Sequence, residues 1–190
     1  MTAPANSVAT RCKYLPLAME FLQSIGLPAR LVPGAQGFID LIRIKQGTLE
    51  IDPACPVSNL LHEAGHLAVV PQRFRSLMDG NLDDSFAMMF EQLQSLDLPP
   101  DDPLTIACLQ SSECEATAWA WAVGEHLGIP PKARILDDEY SGDGATVRLQ
   151  LMGCAYFGIN GLAHAGFCVT RARPGVSLPA YPKLAYWLQR

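Results

Sequence analysis

Charge is scarce in this chain: Asp, Glu, Lys and Arg make up only 17% of its 190 residues, and the formal net charge is −5. It has no basic run or stripe, which argues against binding to nucleic acid or an anionic membrane. Long apolar runs are missing too, and none approaches the roughly 18 residues of a membrane-spanning helix. The opening segment, MTAPANSVATRCKYLPLAMEFL, lacks a basic patch followed by an unbroken apolar core and a small-residue cleavage site. No secretory leader is therefore expected. There is no internal repeat and no low-complexity tract. The six cysteines are scattered without a C-x-x-C pair. They read as reduced, mostly buried thiols of a cytoplasmic protein.

Apolar bulk is plentiful. With 49% hydrophobic residues, a chain of this length buries a sizeable core and forms one domain, 1–190. Helical spacing runs from about residue 8 to residue 25 and stops at Gly26. LVPG breaks the chain, and FIDLIRIKQGTLEID then alternates as two strands turning at Gln46-Gly47. PACP leads into a helix at LLHEAGHLAVV. DDSFAMMFEQLQSL predicts another, capped by Asp83 or Asp84. After the DLPPDDP loop, Asp102-Pro103 opens a long helix to about Leu127, stopped by Gly128. Shorter helices are expected near 131–136, 145–157 and 181–189. This order predicts an α+β fold, with a small antiparallel hairpin packed on a mainly helical body.

The chemistry is concentrated in His62-Glu63-Ala64-Gly65-His66. Side chains four apart on a helix share a face, so both imidazoles can reach one ion. Zinc suits neutral imidazole nitrogens, and a catalytic zinc keeps three protein ligands and a water. Glu63, one step round the helix, is placed to take a proton from that water. On a helical wheel Leu60, Leu61, Ala64, Leu67 and Ala68 form one apolar arc, with His62 and His66 on the other side. The helix can bury its leucines while turning its histidines elsewhere. The hairpin just upstream would border the resulting cleft, where an edge strand can pair with an extended peptide.

A third ligand must come from elsewhere. A continuation H-E-x-x-H-x-x-G-x-x-H needs Gly and His where Val69 and Gln72 stand, and an upstream cysteine could only be Cys55 or Cys12. A glutamate on a second helix remains, and SSECEATAWAWAVGEHLG offers Glu113 and Glu115. Projected on a helix, Glu113 shares its face with Leu109, Ala116, Thr117, Ala120, Val123 and Gly124; Glu115 falls with Ser111, Ala118 and Ala122. A carboxylate on a small, apolar face needs a cationic partner when buried. On this ground Glu113 is the favoured ligand, with Glu115 as the alternative.

HEAGH followed by ECEATAWA resembles the gluzincin metallopeptidases, and among them the small ImmA/IrrE-type proteins. Their second motif runs approximately E-x-E-A-N-x-F-A, its first Glu binding zinc. The resemblance thus implies Glu113 as ligand, with Ala116, Trp119 and Ala120 at the Ala, aromatic and Ala positions. It also implies a zincin-like domain with the HExxH helix at its centre. Thr117 stands where the family has Asn or Asp orienting a ligand histidine, and GEHLGIPP replaces its Leu-Leu-x-Pro ending. The resemblance spans roughly residues 40 to 125 and does not reach the C-terminal third.

Peptide hydrolysis also calls for a donor to the developing oxyanion. Tyr140, beside the SGDG turn, is the favoured residue on the ground that a mobile loop can bring it over the cleft; His164, His126 and Tyr156 are alternatives. Trp119 and Trp121 read as packing, and the acidic clusters read as caps and solvated turns. The expectation is a zinc hydrolase cleaving peptide bonds, with His62, His66 and Glu113 on Zn2+, Glu63 as base and a peptide or protein as partner. Two rivals are a zinc-binding interaction module without activity and a zinc hydrolase of small amides.

Overall fold

The computed structural model describes residues 12–190. Helix α1 (Leu15–Ser24) starts with Pro16 in its first turn and buries Leu15, Ala18, Phe21 and Leu22 along one stripe. The part of this helix expected before residue 12 lies outside the described residues. Strands β1 (Ala29–Leu31), β2 (Ile42–Lys45) and β3 (Thr48–Ile51) form a sheet ordered β1-β3-β2. Gln46 and Gly47 make the β2–β3 turn with φ of 47° and 72°. That is the doubly left-handed turn a two-residue hairpin prefers.

The expected antiparallel hairpin is β2–β3, and a third strand joins it. β1 pairs with β3 in parallel, so the sheet is mixed. β1 left little trace in the sequence because it is only three residues long and lies between Pro28 and Pro33 with Leu31 exposed. One carboxylate ties the sheet together. Glu50 on β3 is buried and forms ion pairs with Arg30 on β1 and Arg43 on β2, its partners in register on either side.

Helix α2 (Val57–Val69) lies at the centre and is buried along almost its whole length. Its principal neighbour is α5 (Glu113–His126), which is backed in turn by α8 (Gly158–His164). Helix α3 (Leu82–Gln94) is capped by Asn81, whose side chain accepts from the Asp83 N–H, so neither Asp83 nor Asp84 is the cap. The long helix expected from Asp102 is two helices. α4 (Pro103–Leu109) ends at Gln110, and α5 restarts at Glu113 under Ser112. The break matters because it puts Glu113 at a helix start rather than inside one. Short α6 (Pro131–Arg134) and α7 (Gly144–Met152) follow.

The helix expected near 181–189 is absent from the described residues. Pro182 interrupts this segment, with Pro179 just before it, and it bonds to the helices instead. Tyr181 donates to the Ala118 carbonyl, Trp119 Nε1–H donates to the Trp187 carbonyl, and Gln189 N–H donates to the Ala68 carbonyl. The C-terminus thus straps α2 and α5 from behind. Among the described residues, no helix is long and apolar enough to cross a membrane. All six cysteines are free; Cys55, Cys108 and Cys168 are buried and Cys154 is exposed.

Candidate metal centre

α2 brings His62 and His66 to one wall of a cleft, and the first residue of α5 faces them. His62 Nε2 lies 3.1 Å from Glu113 Oε1, and His66 Nε2 lies 3.1 Å from Glu113 Oε2. The two Nε2 atoms are 3.2 Å apart. Zinc bonds of about 2.0–2.1 Å at tetrahedral angles hold their ligand atoms about 3.3 Å from one another. The donor set and its spacing therefore fit a small divalent cation, and the three residues form a group able to bind a metal ion. Glu63 lines the same cleft and is buried beneath it.

The close crossing of α2 and α5 is set by Gly65, inside the histidine motif. A Cβ there would sit 2.4 Å from the Ala116 carbonyl oxygen. Glycine here serves helix contact, not a special backbone angle. The start of α5 is fixed by a reciprocal cap: the Ser112 side chain accepts from backbone N–H, and the Glu115 carboxylate returns to the Ser112 N–H and hydroxyl. α8 presses on this cap through small residues. A Cβ on Gly158 would strike the Cys114 carbonyl, and one on Gly161 would strike the Glu115 carboxylate.

This arrangement reverses the burial reasoning used to choose between the two glutamates. Glu115 is the buried one, 3% exposed, and its partner is the helix start rather than a metal. The Glu113 side chain is 58% exposed and opens onto the cleft with the histidines. The telling sequence signal was Ser112-x-x-Glu115, the pattern of a capping box. It marks a helix beginning and assigns Glu115 to it.

The local electrostatics are coupled. Partial loss of solvent in the cleft works against the charge on Glu113, but hydrogen bonds from His62 and His66 outweigh it and hold the carboxyl well below its usual range. For His62, burial disfavours the imidazolium, yet the carboxylates of Glu113, Glu63 and Glu139 prevail and raise its pKa. Burial raises Glu63, and the two histidines only partly offset it.

Tyr140 sits against His62, with ring centroids 6.3 Å apart and nearly perpendicular planes. Its hydroxyl lies 2.9 Å from Thr117 Oγ1 and 3.5 Å from His62 Nδ1, the ring nitrogen opposite the one facing Glu113. The segment leading into its turn is bonded to the helices around it. Arg148 on α7 donates to the Ile135 carbonyl and pairs with Asp137, and Leu136 N–H donates to Glu139. Tyr140 and Ser141 have φ of 56° and 59°. Such left-handed backbone costs on the order of 1–3 kcal/mol per non-glycine residue and persists only where the surroundings impose it. The other nominated donors are placed elsewhere. His126 and His164 are exposed at the ends of α5 and α8, and His126 packs against Phe21 and Trp187. Tyr156 lies outside the residues lining the cleft.

The cleft is neither sealed nor collapsed, with a volume near 1140 Å³. β2 forms one wall through Ile42, Arg43 and Ile44, and Phe38, Phe86, Phe90 and Leu109 add apolar surface among polar residues such as Asn59, Asn81 and Ser111. Phe38 is fully exposed at the rim, and Leu109 and Phe90 are partly so. Comparison with protein-family models, curated proteins and solved structures finds no match for this chain.

Proposed function

We propose that this protein is a zinc-dependent hydrolase, a metallopeptidase in which His62, His66 and Glu113 hold the ion. The observation that carries this reading is the convergence of two imidazole nitrogens and a carboxylate beside Glu63 in one open cleft. Zinc, when bound, supplies Lewis acidity that polarises a carbonyl and acidifies a water. Glu63 takes the proton of the attacking water as its oxygen adds to the carbonyl carbon. It then delivers that proton to the departing amine nitrogen as the C–N bond breaks. The buried surroundings that raise Glu63 suit a base that must pick up a proton and give it back.

Cleft shape favours peptides over small amides. β2 is the outer strand of the sheet and borders the cleft, an edge against which an extended chain can pair. Part of that edge is already used, since Gly80 N–H occupies the Ile44 carbonyl. The apolar rim suits substrates with bulky hydrophobic side chains. We place the protein in a reducing compartment, the cytoplasm, because its cysteines are unpaired.

The test is a screen of zinc-supplied protein against a peptide library, run in parallel with Glu63→Gln. Cleavage should appear with wild type and fall by about 10²–10⁴-fold in the variant. If both bind zinc and neither cleaves any peptide, the non-catalytic zinc-binding module replaces this reading. One observation favours that rival: the only nominated oxyanion donor lining the cleft, Tyr140, has its hydroxyl turned to Thr117 and the back of His62.

A further inference from the structure

We propose that Tyr140 is a positioning residue for His62. Its phenol, anchored by Thr117, accepts the Nδ1 proton of His62 and so presents an unprotonated Nε2 to the metal point. The inference rests on the reading of His62, His66 and Glu113 as a metal centre.

An imidazole can give a lone pair to a cation only from a nitrogen without a proton, so in the neutral ring the proton must sit on the other nitrogen. A ligand histidine accordingly donates that second N–H to an acceptor, which fixes its tautomer and the plane of its ring. His62 offers Nε2 to the point it shares with His66 and Glu113, leaving Nδ1 to be satisfied. The polar atom that faces Nδ1 is the Tyr140 hydroxyl, at 3.5 Å. That distance is the outer limit of a hydrogen bond, and a closure of about 0.5 Å brings it to ordinary length.

A phenol can fill this place because it accepts and donates at once. The same hydroxyl lies 2.9 Å from Thr117 Oγ1, an acceptor that can take its proton and leave its lone pairs for the histidine. Thr117 is 1% exposed, one turn along α5 from Glu113. The relay therefore runs from one ligand's ring back to the helix that carries another ligand. Two features show that this contact is built in. The turn 140–142 holds Tyr140 and Ser141 in left-handed backbone, and Arg148 clamps the segment just before it. His66 has no such support: among the described residues, its Nδ1 is buried without a partner. Packing against Phe86 and its burial in the helix crossing hold that ring instead. The two histidines are thus held by different means, and only His62 depends on a hydroxyl.

The experiment measures zinc affinity by competition with a chromogenic chelator for wild type, Tyr140→Phe, Thr117→Val, Thr117→Ser and the double variant Tyr140→Phe/Thr117→Val. The visible spectrum of each cobalt-loaded protein is recorded in parallel. Tyr140→Phe keeps the ring and loses only the hydroxyl, and the zinc dissociation constant should rise about 10–100-fold with a shifted cobalt spectrum. Thr117→Val should weaken binding less, Thr117→Ser should restore wild-type affinity, and the double variant should match Tyr140→Phe alone, because both changes break one relay. If Tyr140→Phe and Thr117→Val bind zinc within twofold of wild type with unchanged cobalt spectra, the positioning role is wrong. Should peptide turnover then fall while affinity holds, the hydroxyl acts on substrate and not on His62. A wild type that binds no zinc overturns the metal centre itself, a result distinct from either. Thr117→Val also reaches the relay from α5, so a folding defect in Tyr140→Phe leaves the question answerable.

Discussion

Two glutamates two positions apart have opposite duties here, and the difference lies in where the helix begins. Glu115 closes a capping box and is buried under Gly161; Glu113 is the first helical residue and reaches the histidines. Alanine at either site should therefore fail in different ways. Glu115→Ala should lower thermal stability by about 1 kcal/mol or more through the lost cap, since Ser112 also loses its partner. It should leave most zinc affinity in place. Glu113→Ala should change the melting temperature of zinc-free protein little, yet cripple zinc retention. Calorimetry and metal analysis of both variants check this, and the reverse pattern would exchange their roles. The histidine motif was legible from the sequence because its meaning lies in spacing alone, four residues on one helix. The choice between the glutamates was reached by a burial argument that the structure turns round. Helical projection assumed one continuous helix and so could not show that Ser112 starts a new one.

At the scale of elements, the site depends on how near α5 comes to α2. Gly65 permits that approach, because a methyl group would meet the Ala116 carbonyl head-on. Gly65→Ala should destabilise the fold by roughly 1–3 kcal/mol as the helices part. It should also weaken zinc binding, although residue 65 carries no ligand. Urea denaturation and chelator competition measure the two effects; wild-type values for both would show that the crossing has slack. The small face of α5 is legible in the sequence, but the part played by the glycine within the motif itself is not. In one sequence, a glycine inside an apolar run looks the same whether it is needed for contact or merely tolerated. β1 went unseen for a related reason: its pairing with β3 is a long-range choice that three residues between prolines do not announce.

Across the whole molecule, the α+β class followed from the order of hairpin and helices, while the closing segment did not. The C-terminal strap is held by backbone carbonyls of α2 and α5 accepting from Gln189 and Tyr181. Such contacts carry no sequence pattern, which is why apolar spacing near 181–189 looked helical. Tyr181→Phe removes the phenol's bond to the Ala118 carbonyl, which keeps its partner within α5, and should cost about 0.5–1.5 kcal/mol in denaturant titration.

Acid sensitivity also has a global source in the sheet. Arg30 and then Arg43 hold Glu50 below its ordinary value of 4.5, against a smaller opposing effect of burial. A lowered carboxylate stabilises the fold fully above its unfolded value, and that stabilisation is lost as pH falls through the folded one. Wild type should therefore exceed Glu50→Gln in melting temperature at neutral pH, with the gap narrowing below about pH 4.5. A gap independent of pH would remove the ion pairs as its cause.

The central claim is that His62, His66 and Glu113 jointly hold a zinc ion. Native mass spectrometry of zinc-supplied, dialysed protein tests it most directly, with Glu113→Ala and Glu63→Gln alongside. Wild type and Glu63→Gln should each retain one zinc per chain and Glu113→Ala almost none, because removing one of three protein ligands leaves the other two unable to keep it. Wild type that emerges without zinc, or Glu113→Ala that keeps it as firmly as wild type, would contradict the account.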